Sequence, residues 1–236
     1  MKAGILFLIV ALGVFRTADA QTISLNPSAD AFVSSANPAS NYGGAGALGL
    51  SATNSANGIF DTVMQFNLAS TAGLSIQSIT LQLTAAAPNN SIFNAQASGS
   101  FSVIWMDNSS WTEGTGTPSV PGVTGITYNT LSNYLDASDE SLGTFSFTAA
   151  TSGSNIYTLQ LPSGFENAVT SGSTVSLELV PVDNSVSYLF NSRSFGTTTS
   201  RPLLTVAAVP EPAGPWLAAG GLVAALGFAS RRTRKA

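Results

Sequence analysis

The stretch Asp107-Asn-Ser-Ser-Trp111-Thr-Glu113-Gly sets an indole two residues from a carboxylate in an otherwise polar run. An exposed ring beside a hydrogen-bond acceptor can hold a sugar, the ring against the pyranose face and the carboxylate taking hydroxyl protons. Tyr42 and Tyr128 offer phenol rings of the same kind. Trp111 has a second reading, as an anchor buried beneath its own loop, and both stay open. Trp105 alternates with Phe101 and Val103 and belongs to a core.

Two other clusters carry charge. Asp136-Ala-Ser-Asp139-Glu140 can offer oxygens to a calcium ion, but the spacing is not that of an EF-hand loop and no glycine breaks it, which favours a solvated turn. Arg193 and Arg201 are the only cations in residues 21–208, against ten acids, a net charge of −8. Together they can clamp a carboxylate ligand bidentately. The excess of acids favours the alternative, an ordinary salt bridge for each.

Absences narrow the chemistry. The chain has no Cys and no His, and residues 21–208 have no Lys. That excludes thiolate nucleophiles, disulfides, His-based triads, the usual zinc sites and Schiff bases. Any two of the ten acids can sit at glycosidase separation, but no spacing reveals it. Non-catalytic binding is the expectation, with no cofactor apart from a possible calcium. The negative surface repels nucleic acid and polyuronates alike, so a neutral glycan is the better ligand.

These side chains need elements to hold them, and the pattern names strands. Phe60, Met64 and Phe66 fall on one face of a period-two run, with Asp61, Val63 and Gln65 on the other. The same alternation recurs at 79–83, 101–105, 145–147, 157–161, 175–179 and 204–206. Half-buried strands with polar outer faces predict an all-β chain, an antiparallel β-sandwich of jelly-roll type over 21–208. A β-helix would need a repeat of fixed length, and none occurs. Ser163-Gly-Phe-Glu166 has capping-box spacing, Phe165 and Val169 lie four apart, and Gly172 suits a left-handed C-terminal position. These predict one short helix plugging an end of the sandwich.

Both ends of the chain differ from this domain. Lys2, the apolar stretch 4–15 and Ala18-Asp19-Ala20 predict a signal peptide over 1–20. Residues 209–236 combine Pro210-Glu211-Pro212, an apolar run at 216–229 that predicts a single transmembrane helix, and Arg231, Arg232, Arg234 and Lys235 on the cytoplasmic side. That order resembles the PEP-CTERM sorting signal. The resemblance implies export by a Gram-negative bacterium, retention at the inner membrane, processing near Pro210, Glu211 and Pro212 by an exosortase, and a destination at the cell surface or in the extracellular matrix.

A second resemblance covers most of 21–208. Ala29-Asp-Ala-Phe-Val33, Asn41-Tyr-Gly-Gly44, Val63-Met-Gln-Phe-Asn-Leu68, Ser110-Trp-Thr-Glu-Gly114, Ile126-Thr-Tyr-Asn129, Phe190-Asn-Ser-Arg193 and Arg201-Pro-Leu-Leu-Thr-Val206 are similar, in order, to the blocks of the DNRLRE-type domain. The resemblance implies a secreted β-sandwich of a kind found beside polysaccharide-degrading modules, some of which bind alginate. Where that family often carries an arginine, this strand reads Val63-Met64-Gln65, which again favours a neutral glycan over a polyuronate. The competing expectations are a structural or adhesive matrix protein without a specific ligand and, less favoured, a polysaccharide-active enzyme.

Overall fold

The computed structural model describes residues 20–52, 58–86, 93, 98–148 and 153–210. Apart from Ala20 and Pro210, the predicted signal peptide, Pro-Glu-Pro motif, transmembrane segment and basic tail lie outside them. Among the described residues no helix is long and apolar enough to cross a membrane.

Alternation of side chains builds the strands β1 (Gln21–Leu25), β2 (Ala29–Ser34), β3 (Ala47–Ser51), β4 (Phe60–Asn67), β5 (Leu74–Thr84), β6 (Ser98–Met106), β7 (Glu140–Thr148), β8 (Ser154–Leu159), β9 (Thr174–Pro181), β10 (Ser187–Asn191) and β11 (Leu203–Pro210). A four-stranded sheet runs β1-β11-β5-β8, and a seven-stranded sheet runs β10-β3-β4-β9-β6-β7 with β2 also on β4. Every pairing is antiparallel. The two sheets make the expected β-sandwich.

β5 shows why the chain forms two layers: Ile79, Leu81 and Leu83 are buried, while Ser78, Thr80 and Gln82, which alternate with them, are part-exposed. Val206 of β11 adds to that face, and Phe66, Leu177 and Phe101 meet it from the larger sheet. Phe101 of β6 stands edge-on to Tyr157 of β8, with ring centroids 5.1 Å apart, and so ties one sheet to the other. Phe147 of β7 stacks on Tyr188 of β10 at 4.6 Å, although these strands are opposite edges of the larger sheet. The sheet therefore curls until its edges meet. Among the described residues the core lies within Ala20–Pro210, a compact unit.

The predicted helix is α2 in chain order, Ser163–Thr170, after a one-turn α1 at Tyr128–Leu131. Phe165 and Val169 of α2 are buried, and Gly172 takes the left-handed conformation, φ 73°, that ends the helix. Its start differs from expectation. The N-cap is Pro162, and no Ser163/Glu166 capping box forms. Ser163 already lies in the first turn, and the free amides of Gly164 and Phe165 donate instead to the Glu140 carboxylate at 3.1 and 2.7 Å.

The outer faces also depart from the period-two reading. The smaller sheet does present hydroxyls outward. The larger sheet instead buries Asp61 and Val63 of β4 and Ser176 and Glu178 of β9 on the face that should be wet. A second small core covers it, made of Ala31, Val33, Val63, Met106, Trp111, Ile126 and Leu131. Residues 107–139, which join β6 to β7, supply the lid.

Candidate functional site

The covering loop is pinned by one buried side chain. The Asn41 amide donates to the carbonyls of Glu113 at 2.7 Å and Ile126 at 2.8 Å, and its Oδ1 accepts from the amides of Gly43 and Gly116, each at 3.1 Å. Its backbone exchanges two further bonds with Gly122. A side chain at Gly114, where φ is 76°, would start 2.3 Å from Asn41 Oδ1, so the turn needs glycine twice over, for conformation and for room. This knot sets α1 over β4 and β9. Leu131 enters the small core, Tyr128 packs half-buried against it, and Thr130 Oγ1 accepts the Thr127 amide at 2.9 Å to start the turn.

Between α1 and the sheet lies a cleft of about 380 Å³, lined by Asp61, Glu178, Tyr128, Asn129, Ser132 and Leu135. Glu178 lies opposite Val63 in the β4–β9 register, so it and Asp61, two residues along from Val63, share one face. Both are buried, at 3 % and 7 % exposure, and Asp61 Oδ1 has no hydrogen-bond partner among the described residues. Burial pushes Asp61 up to about 7. It pushes Glu178 to about 8, helped by the negative charges of Asp61 and Asp139. The cleft thus joins two acceptors, a phenol ring, an amide and a hydroxyl. That set can hold a polyol by hydrogen bonds and ring contact.

Of the residues singled out in the sequence, Tyr128 alone lines this cleft. Trp111 is 3 % exposed, and its indole N–H donates to Ser176 Oγ at 2.9 Å. The anchoring reading therefore describes it, and its ring offers no face to a ligand. Tyr42 is likewise buried, stacked on Phe32 at 4.5 Å. Glu113 and Arg193 form a bidentate ion pair. Glu113 also accepts the Asp30 amide at 2.9 Å, and Asp30 accepts the Arg193 amide at 2.6 Å. Asp30 is itself pushed up to about 7 by burial, an effect its bond from the Arg193 amide only partly offsets. Arg201 donates to the Phe195 carbonyl at 2.8 Å and borders a separate hollow beside Asn26 and Thr198.

The acidic turn holds itself together. Asp139 accepts the amides of Asp107 at 3.0 Å and Asp136 at 2.9 Å, Asp136 accepts that of Ser138 at 2.7 Å, and Glu140 caps α2. Among the described residues no group of three or more acids is placed to hold a metal ion. Pro210 closes β11, and Glu211 and Pro212 lie outside the described residues.

The sequence reading missed Asp61 and Glu178. A signal existed, since each is a lone acid within a β-rich apolar run, Phe60-Asp-Thr-Val-Met64 and Val175-Ser-Leu-Glu-Leu179. A larger cleft of about 450 Å³ is lined by Phe32, Gly49, Phe60, Phe93, Pro118 and Leu189. It presents rings without the polar groups that would orient a sugar. Against known proteins, the model of a family described as carbohydrate-binding module family 96 matches residues 21–208. No curated protein matches the chain.

Proposed function

The chain belongs to carbohydrate-binding module family 96, and from that membership we propose that it binds a polysaccharide outside the cytoplasm without cleaving it. The observation that carries the reading to a place is the cleft over β4 and β9, where the buried carboxyl groups of Asp61 and Glu178 form the wall beside Tyr128. Sugar hydroxyls can donate to the two carboxyl groups, Asn129 and Ser132 can bond outward-facing oxygens, and the Tyr128 ring can lie against a pyranose. The net charge of −8 over 21–208 supports a glycan free of carboxylates over a polyuronate. Arg193 and Arg201, each already bonded within the protein, add no clamp for an acidic sugar.

The leader and tail support export and then processing. On this reading the basic tail and apolar run hold the precursor at the inner membrane of a Gram-negative bacterium. An exosortase cuts near Pro210-Glu211-Pro212, and the DNRLRE-like domain is delivered to the cell surface or matrix. Affinity electrophoresis of residues 21–208 through gels containing neutral, acidic and amino polysaccharides tests the binding. Retardation by one of them, reduced by Tyr128→Ala in a protein that still melts cooperatively, is the expected result. A folded domain that none retards would be a structural matrix protein, and release of reducing ends would make it an enzyme.

A further inference from the structure

Resting on the carbohydrate-binding reading, we propose that the cleft selects a sugar unit carrying a free primary amine, held as its ammonium between Asp61 and Glu178. The argument begins with charge accounting. Two carboxyl groups share one buried face, at 7 % and 3 % exposure, and Asp61 Oδ1 has no hydrogen-bond partner among the described residues. A buried carboxylate is stable only when paired, hydrogen-bonded or protonated. Residues 21–208 contain no lysine or histidine, and their two arginines are engaged elsewhere, Arg193 with Glu113 and Arg201 with the Phe195 carbonyl. The free protein can keep the pair neutral by holding its protons, but a cation that pairs with the two carboxylates has to come from outside the chain, because no basic side chain is left to supply one.

Shape decides between the possible cations. A calcium ion takes ~6–8 oxygens at close range. The described residues hold no group of three or more acids placed for a metal. The cleft measures about 380 Å³, room for a ring and not only an ion. An ammonium on a pyranose fills both demands. Its three N–H donors can divide between the two carboxylates and the side-chain oxygen of Asn129 or Ser132. The half-buried Tyr128 ring lines the same space and can face the cation. The charge of −8 draws a polycationic chain toward the domain and so raises its encounter rate.

The test is calorimetric titration of the compact unit, residues 20–210, with three hexasaccharides: β-1,4-linked glucosamine, its fully N-acetylated form and cellohexaose, each at moderate salt. The glucosamine hexamer is expected to bind at least tenfold more tightly than the other two. Asp61→Asn and Glu178→Gln should each weaken it at least tenfold while leaving the melting temperature unchanged or higher. Glu166→Gln, which removes the same charge from the exposed side of α2, should leave the affinity unaltered. Equal binding of all three hexamers would overturn the inference and leave carbohydrate binding standing. So would loss of affinity in Glu166→Gln as large as in Asp61→Asn, since attraction would then be nonspecific. No binding of any hexamer, together with no retardation by any polysaccharide, would overturn both readings.

Discussion

Glu140 holds the first turn of α2 from a neighbouring strand, its Oε2 accepting the Phe165 amide at 2.7 Å and its Oε1 the Gly164 amide at 3.1 Å. A carboxylate here satisfies two of the amides that a helix leaves open and sits against the positive end of its dipole. Glu140→Ala should lower stability by about 1–2 kcal/mol, the range for losing a cap with a charge-assisted bond. Glu166→Ala, whose side chain caps nothing, should change stability by less than about 0.5 kcal/mol. Urea unfolding of both variants checks the contrast, and equal losses would deny Glu140 its role.

The same commitment of carboxylates bears on calcium. Asp136, Asp139 and Glu140 are already bonded to backbone amides, so a calcium ion would have to displace those bonds. Melting in calcium and in chelator should give the same midpoint within about 1 °C, since an ion that does not bind the native state cannot stabilise it. A rise that grows with calcium concentration would restore the three residues as ligands.

Arg193 and Glu113 join the chain at two distant points, and Glu113 also carries the Asp30 amide. Their side chains are 36 % and 15 % exposed, so solvent screens the pair and lowers its worth below that of a deeply buried one. Arg193→Ala should cost about 1–2 kcal/mol. Arg193→Lys should recover only part of that, because an ammonium cannot make the two-pronged contact. Full rescue by lysine would show that charge alone matters.

The strands and the short helix could be read from the sequence because each leaves a local trace. Alternation at Ile79, Leu81 and Leu83 reports one wet face, and the four-residue spacing of Phe165 and Val169 reports one buried helical side. What escaped depends on distant parts of the chain. Asp61 and Val63 alternate with Met64 and Phe66 as though facing water, and only the loop 107–139, folded back and tied by Asn41, buries them. Glu166 had the right spacing for a cap, but Glu140 reached the helix first, from 25 residues away. Trp111 stayed open between an exposed ring and a loop anchor because its neighbours are polar, and only the fold shows its ring turned inward to Ser176.

That position of Trp111 changes what its substitution should do. Trp111→Ala removes a ring from the small core and leaves Ser176 without its donor. The cost should be about 3–5 kcal/mol. Trp111→Phe, which keeps most of the packing and loses the hydrogen bond, should cost less. Glycan binding in the Phe variant should stay within a few-fold of the parent, measured at a temperature where both are folded. A Phe variant of normal stability that binds nothing would put the ring in the ligand site.

The acids of the cleft make stability depend on pH in an unusual direction. Folding raises Asp61 from 3.8 to about 7 and Glu178 from 4.5 to about 8, while Asp30 rises from 3.8 to about 7. The folded state therefore keeps protons that the unfolded chain releases near pH 4. Between those limits the native state binds more protons, so stability falls as pH rises, by at most about 1.4 kcal/mol per pH unit for each group. The penalty is complete above about pH 8 and absent below about pH 4. The melting temperature should therefore climb between pH 8 and pH 5, where many proteins change little. Asp61→Asn and Glu178→Gln should flatten that climb and raise the midpoint at pH 8, because each replaces a buried charge with a neutral amide of the same shape. A midpoint that rises with pH over this range, or an unchanged slope in both variants, would mean that the two carboxyl groups are ionised and compensated in the free protein.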